Sequence, residues 1–123
     1  MIKQYDLEDR TFKLAKRCRD FVKKIPRTIS NIEYGKQLIR SAGSVGANYI
    51  EANESLSRKD FIMRARICKK EAKESRYWLK LIEVGNNQAM INEQPYLIQE
   101  TTELMKILGA IIEKALKNNK DKK

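Results

Sequence analysis

Histidine is absent from this 123-residue sequence, and glycine and proline are scarce, with five and two residues. Without histidine the chain cannot form a Ser/His/Asp or Cys/His catalytic arrangement, a His-ligated zinc site or the Glu-x-x-His ligands of di-iron bundles. So few glycines and prolines supply too few turn-forming residues for the many turns of an all-β fold. We therefore expect a helical protein that is not an enzyme and has no cofactor and no metal site.

Long apolar runs are also missing, since no stretch approaches the ~20 residues that a membrane-spanning helix needs. The first residues, MIKQYDLEDRTFK, have no apolar segment behind a basic leader, so we expect a cytoplasmic protein with no membrane partner. The two cysteines, Cys18 and Cys68, fall in helical patterns, and neither is part of a CxxC pair. We interpret both as reduced core residues and not as a disulfide.

Apolar residues recur at steps of three and four in four segments, which predicts four amphipathic helices. They cover about 6–25, 30–55 and 59–84, and the first turn of the fourth holds Pro95. Ser30 with Glu33 suits a capping box for the second helix, and Gly85 suits a cap after the third. We predict an all-α, antiparallel up-and-down four-helix bundle. It forms a single domain over residues 1–123, with a frayed basic tail at 118–123.

The predicted core positions lie on one face of each helix. In chain order they are Leu14, Ala15, Cys18, Phe21, Val22 and Ile25, then Leu38, Ala42, Val45, Tyr49, Ala52 and Leu56, then Phe61, Ala65, Cys68, Ala72, Ser75, Leu79 and Ile82, and finally Leu97, Thr101, Leu104, Leu108, Ile111 and Ala115.

Positive charge exceeds negative charge by ten, and the excess lies in two of the four segments. Residues 1–29 and 58–84 each carry five more basic than acidic residues, whereas 30–57 and 85–123 are close to neutral. In both basic segments, cations fall on a narrow arc of the predicted helix, and such a stripe can follow a phosphate backbone. The predicted nucleic-acid-binding residues are Arg66, Lys69, Lys70, Lys73, Arg76 and Lys80 in the third helix, supported by Arg10, Lys13, Arg17 and Lys24 in the first.

Solubilising charge is the alternative interpretation, because no RNP sequence, GxxG loop or zinc knuckle accompanies the stripes. Tyr77 lies in the arc of the third helix and could stack on a base. A tyrosine packed beneath the stems of its neighbours fits the same pattern equally well.

The segment SAGSVGANYI, residues 41–50, carries no charge, although a third of the chain is charged. Gly43 and Gly46 share an apolar stripe, and a glycine in a helix interior is understandable where another backbone approaches closely. A polar stripe on the same helix includes Ser44, Asn48 and Glu51, which we interpret as structural contacts and not as catalytic groups. Because one bundle buries one face of each helix, this second face predicts a homo-oligomer.

Two segments resemble one family of small four-helix-bundle proteins, those encoded in intervening sequences of bacterial 23S rRNA genes. RSAGSVGANYIEANES, residues 40–55, is similar to the family's SxxxNxxE signature through Ser44, Asn48 and Glu51. KKEAKESRYWLKLIE, residues 69–83, is similar to its third helix. The resemblance implies a pentameric barrel without an assigned enzymatic activity. A similar bundle, the accessory variability determinant of diversity-generating retroelements, is a basic pentamer that binds nucleic acid and its reverse transcriptase.

Two functional hypotheses follow. The first is a non-catalytic oligomer that binds RNA or DNA through the basic faces of the first and third helices, with the resemblance adding a role as an accessory factor of a retroelement reverse transcriptase. The second is a structural or adaptor homo-oligomer that binds a protein partner and uses its charge only for solubility.

Overall fold

The computed structural model describes residues 4–121, with side chains described from residue 6 to residue 118. The chain forms four helices: α1 (Gln4–Lys24), α2 (Ile29–Asn53), α3 (Arg58–Leu81) and α4 (Gln88–Asp121). Over this range, no helix is both long enough and apolar enough to cross a lipid bilayer.

The four helices pack in a closed cycle, α1 against α2, α2 against α3, α3 against α4 and α4 against α1. Within the described range, no Cα atom of α1 lies within 8 Å of one in α3, and none of α2 lies within 8 Å of one in α4, so these pairs lie across the diagonals. Short connections between consecutive neighbours give the up-and-down arrangement of a four-helix bundle. The predicted fold class is confirmed, and the two helices with excess positive charge stand diagonally opposite each other.

The core consists of the apolar stripes predicted from the three-and-four spacing. Leu14, Phe21, Leu38, Leu79 and Leu104 are almost fully buried, because each lies on the inward face of its helix. Five predicted positions differ. Four of them are half-buried, namely Ala15, Val22, Phe61 and Ile111, and Leu56 is fully exposed in the α2–α3 connection. Ile112 is buried where Ile111 was expected.

Two helix ends differ from the prediction because other polar groups satisfy the terminal backbone. Thr28, and not Ser30, caps α2, since its hydroxyl accepts a hydrogen bond from the Asn31 backbone N–H at 3.1 Å. The α3 helix ends at Leu81, so Gly85 lies in the following loop, where its φ of +65° is a conformation that favours glycine. The Asn31 side chain fastens this loop by donating to the Glu83 carbonyl and accepting from the Glu83 N–H.

The start of α4 also differs, because the helix begins at Gln88 and Pro95 lies inside it. Asn87 accepts the Met90 N–H, and Met90 is buried, so the first turn is anchored before the proline. Pro95 then leaves one carbonyl of the preceding turn without its helical donor. At its other end the α4 backbone stays helical to Asp121, and residues 122–123 of the expected frayed tail lie outside the described residues.

Cys18 and Cys68 are both buried free thiols, which confirms their interpretation as reduced core residues. The Cys68 Sγ donates to the Val45 carbonyl oxygen at 3.0 Å. Burial raises the pKa of each thiol from 9.0 to about 12. A proton that the folded state holds more tightly than the unfolded state links stability to pH.

We expect the free energy of unfolding to decrease as the pH rises above about 9, by up to about 1.4 kcal/mol per thiol for each pH unit. The unfolded chain then loses thiol protons that the folded chain retains up to a pKa of about 12. Urea denaturation at a series of pH values measures this slope. The Cys18→Ala, Cys68→Ala double variant, which retains every lysine and tyrosine, is the control and should show a shallower decrease. Identical slopes for both proteins would contradict the linkage.

Candidate nucleic-acid interface

The basic stripe of α1 faces α4, where acidic side chains neutralise half of it. The Arg10 Nε–H donates a hydrogen bond to Glu100 Oε2 at 2.6 Å, and its Nη2–H donates one to Glu103 Oε1 at 3.0 Å. Arg17 pairs with both oxygens of Glu93 at 2.6 and 2.8 Å. Paired guanidinium and carboxylate groups of this geometry hold two helices together, and they offer little free charge to a ligand.

The electrostatics of these pairs agree with a structural role. The hydrogen bond with Glu100 raises the pKa of Arg10, and the hydrogen bond with Glu93 raises that of Arg17. Hydrogen bonds from Gln99 and then from Arg10 lower the pKa of Glu103. Both arginines therefore stay charged as clamps between α1 and α4.

The remaining predicted cations of α1 are Lys13 and Lys24. Lys13 pairs with Asp9 one turn earlier at 2.9 Å, and only Lys24 has no ion pair with a described residue. Of the four α1 residues predicted to support nucleic-acid binding, three are therefore paired with carboxylates of described residues.

The basic stripe of α3 is different, because most of its charges have no acidic partner. We call the predicted set the α3 basic face, and it comprises Arg66, Lys69, Lys70, Lys73, Arg76 and Lys80. Among the described residues, no carboxylate pairs with Arg66, Lys69, Lys73 or Lys80. Lys70 approaches Glu71 only to 3.9 Å, and Arg76 donates to the neutral Thr102 hydroxyl at 3.3 Å.

A surface groove between α3 and α4 collects four of these cations. Its volume is about 390 Å³, and it is lined by Arg66, Lys69, Lys70, Lys73, Met105, Gly109, Ile112, Glu113 and Leu116. The Lys69 side chain lies over Gly109, with its Nζ 3.4 Å from the place that a Cβ at Gly109 would occupy, which is an ordinary van der Waals distance. Four cations against one carboxylate make the groove strongly positive.

The two carboxylates of α3 that lie beside the α3 basic face pair with an arginine of α2. Arg40 lies 3.5 Å from Glu71 Oε1 and 3.1 Å from Glu74 Oε1. Glu71 is buried, and its Oε1 has no hydrogen-bond partner among the described side chains. These carboxylates take part in an ionic network with Arg40 and leave most of the positive charge of the α3 basic face without an acidic partner.

The polar stripe predicted on α2 lies beside α3. Asn48 donates to the Ser44 carbonyl at 2.9 Å and accepts from Arg64 at 3.3 Å. Glu51 is exposed, and its carboxylate makes no hydrogen bond or ion pair with a described residue. These three residues therefore form no enclosed site within one chain.

The two glycines of α2 have separate roles, although the sequence placed them on one stripe. A Cβ at Gly46 would lie 3.1 Å from Thr11 Oγ1, so Gly46 permits the close approach of α1 in the same chain. Gly43 has nothing within 4 Å of such a Cβ. The expectation that Gly46 serves a second subunit is corrected, because its close neighbour is α1, and Gly43 is the open position.

An apolar patch surrounds Gly43 on the outer face of α2. Ile39 and Ile50 are 46% and 51% exposed, and Ala47 between them is exposed too. Phe12 is 61% exposed, and it follows Thr11, which packs on Gly46. Phe12 was not among the predicted residues, because its position lies outside the core spacing of α1. A large apolar residue at such a position was the signal in the sequence that could have identified it.

A sequence model of the 23S rRNA-intervening sequence proteins matches residues 3–110 of the chain. A protein of unknown function from the S23 ribosomal protein family of Bacteroides thetaiotaomicron VPI-5482 has a similar crystal structure. The two chains share 30% sequence identity with a TM-score of 0.76, over 91% of this chain and 99% of the other. No curated protein matches this sequence.

Proposed function

This chain belongs to the family of 23S rRNA-intervening sequence proteins, and we propose that it is a non-catalytic oligomer that binds nucleic acid through the α3 basic face. The solved relative has no known function, so the proposal depends on this chain's own charges. Phosphate contacts would supply the binding energy, and they would do so with little sequence preference.

One observation carries the proposal, and it is the unequal pairing of the two basic stripes. Glu93, Glu100 and Glu103 of α4 pair with α1, whereas the groove toward α3 holds Glu113 alone among the acids. Charges that served only solubility would not need to cluster without partners on one side of the bundle. Within the α1 stripe, Lys24 would make a minor contribution to nucleic-acid binding.

The apolar patch on α2 supports self-association as the second part of the proposal. It is continuous along the helix from Ile39 through Gly43 and Ala47 to Ile50, which suits the close packing of another copy of this chain. Several copies of one weak basic face acting on one strand would raise the affinity by avidity. The pentamer and a reverse transcriptase as partner come from the family resemblance and stay predictions.

A protein-binding adaptor is the second candidate function. The same patch favours it, because an exposed apolar face with a polar surround fits a protein partner as well as a second copy. In that case the α3 basic face would contribute solubility alone.

Wild-type protein should retain RNA and DNA of unrelated sequence at about 50 mM salt and release both steeply toward about 200 mM, because counterion release drives phosphate binding. Filter binding across a salt series measures this, with light scattering on the same samples. Failure to retain either nucleic acid at the lowest salt leaves the adaptor function as the better account. A monomer at micromolar concentration would contradict the oligomer.

A further inference from the structure

Tyr77 is an exposed aromatic side chain that the structure fixes at one edge. The residue is 59% exposed, and its ring meets the Trp78 ring edge-on, with centroids 5.1 Å apart and an interplanar angle of 75°. Trp78 in turn stacks on Tyr34 of α2, with centroids 5.9 Å apart and planes 28° apart. Trp78, which is itself stacked on Tyr34, therefore holds one edge of Tyr77 and leaves much of its surface open to solvent.

The surroundings of Tyr77 are cationic. Lys73 precedes it by one helical turn and Lys80 follows it by one turn, and both lack an ion pair within the described chain. The acid one turn before it, Glu74, is paired with Arg40 at 3.1 Å. The sequence left open whether this tyrosine packs beneath its neighbours, and the ring's exposure excludes that.

We propose that the α3 basic face binds single-stranded nucleic acid, with one base stacked on Tyr77 and the flanking phosphates near Lys73 and Lys80. This inference rests on the proposed nucleic-acid binding and specifies its ligand. Every base has a π-face that can stack on an aromatic ring, and a ring between cations is the arrangement that single-strand binders use. In a duplex the base faces are already stacked on each other, so a protruding ring gains no partner there.

The test compares a single strand, an abasic strand of equal length and a duplex of the same sequence, at one salt concentration. Tyr77→Leu removes the ring and keeps an apolar, helix-favouring side chain, while Tyr77→Phe keeps the ring and is the matched control. Tyr77→Leu should bind the single strand about tenfold more weakly than wild type, as expected for one lost base stack. Its affinity for the abasic strand and the duplex should not change, and Tyr77→Phe should behave as wild type.

The single tryptophan of the chain gives a second readout that needs no variant. Because Trp78 contacts the Tyr77 ring, a base that stacks there should change the tryptophan emission, and the abasic strand should not. Equal single-strand binding by wild type and Tyr77→Leu, with no change in emission, would overturn the inference while nucleic-acid binding itself remained. Absence of binding to all three ligands would instead refute the proposed function.

Discussion

The Arg66→Glu, Lys69→Glu, Lys73→Glu variant should lose most of the nucleic-acid binding of the wild-type protein and remain a folded four-helix bundle. None of the three cations has an ion pair with a described residue, so reversing them breaks no internal pair. The affinity should fall about 100-fold, if each charged contact contributes about 1 kcal/mol and about 1.4 kcal/mol is a factor of ten. The log-log salt slope should decrease by roughly 0.7 to 0.9 for each lost contact.

The matched control is Lys16→Glu, Lys23→Glu, Arg27→Glu, which changes the net charge equally on and just after the helix diagonally opposite and, among the described residues, also breaks no ion pair. Filter binding should show that this protein keeps most of its affinity, and circular dichroism should show that both variants are helical. Equal losses in the two variants would mean that net charge, and not the α3 basic face, determines binding.

Gly46→Leu should destabilise the bundle, whereas Gly43→Leu should not. A leucine at position 46 must enter the contact between α1 and α2, where even a Cβ would lie 3.1 Å from Thr11 Oγ1. Overpacking of this kind costs about 1–3 kcal/mol. At position 43 the space is open, and replacing a helical glycine raises the helix propensity by up to about 1 kcal/mol.

Thermal unfolding of both variants measures the difference, and each is the control for the other because the added side chain is the same. Light scattering on the folded Gly43→Leu protein then reports whether a second copy uses the open position. A Gly46→Leu protein as stable as wild type would show that α1 can move away without loss, contrary to the packing described above.

The spacing of apolar residues was sufficient to predict the bundle, because burial of one helix face depends on local periodicity. Leu38, Val45, Leu79 and Leu104 could be assigned to the core from the sequence for this reason. The helix caps were harder to predict from the sequence. Thr28 and Ser30 are both good capping residues two positions apart, and spacing alone does not show which of them accepts the Asn31 backbone N–H. Pro95 was misplaced because the anchoring of Met90 before it is a tertiary effect.

Pairing between distant residues could not be predicted from spacing. Arg10 and Glu100 are 90 positions apart, so the sequence shows two basic stripes of similar appearance, and the fold pairs half of the α1 stripe with acids of α4. The two glycines differ for the same reason. Gly43 and Gly46 are close on the helix, but only the position of α1 decides which of them has a neighbour.

The one-sided pairing of the α4 carboxylates also makes the bundle electrically asymmetric. Positive potential extends from the side where α3 meets α4, whereas on the side where α1 meets α4 it is reduced by three acids. A polyanion in solution exerts a torque on such a molecule before any contact forms, so that encounters occur with the α3 side foremost. The association rate, and not only the equilibrium affinity, should therefore decrease as ionic strength rises.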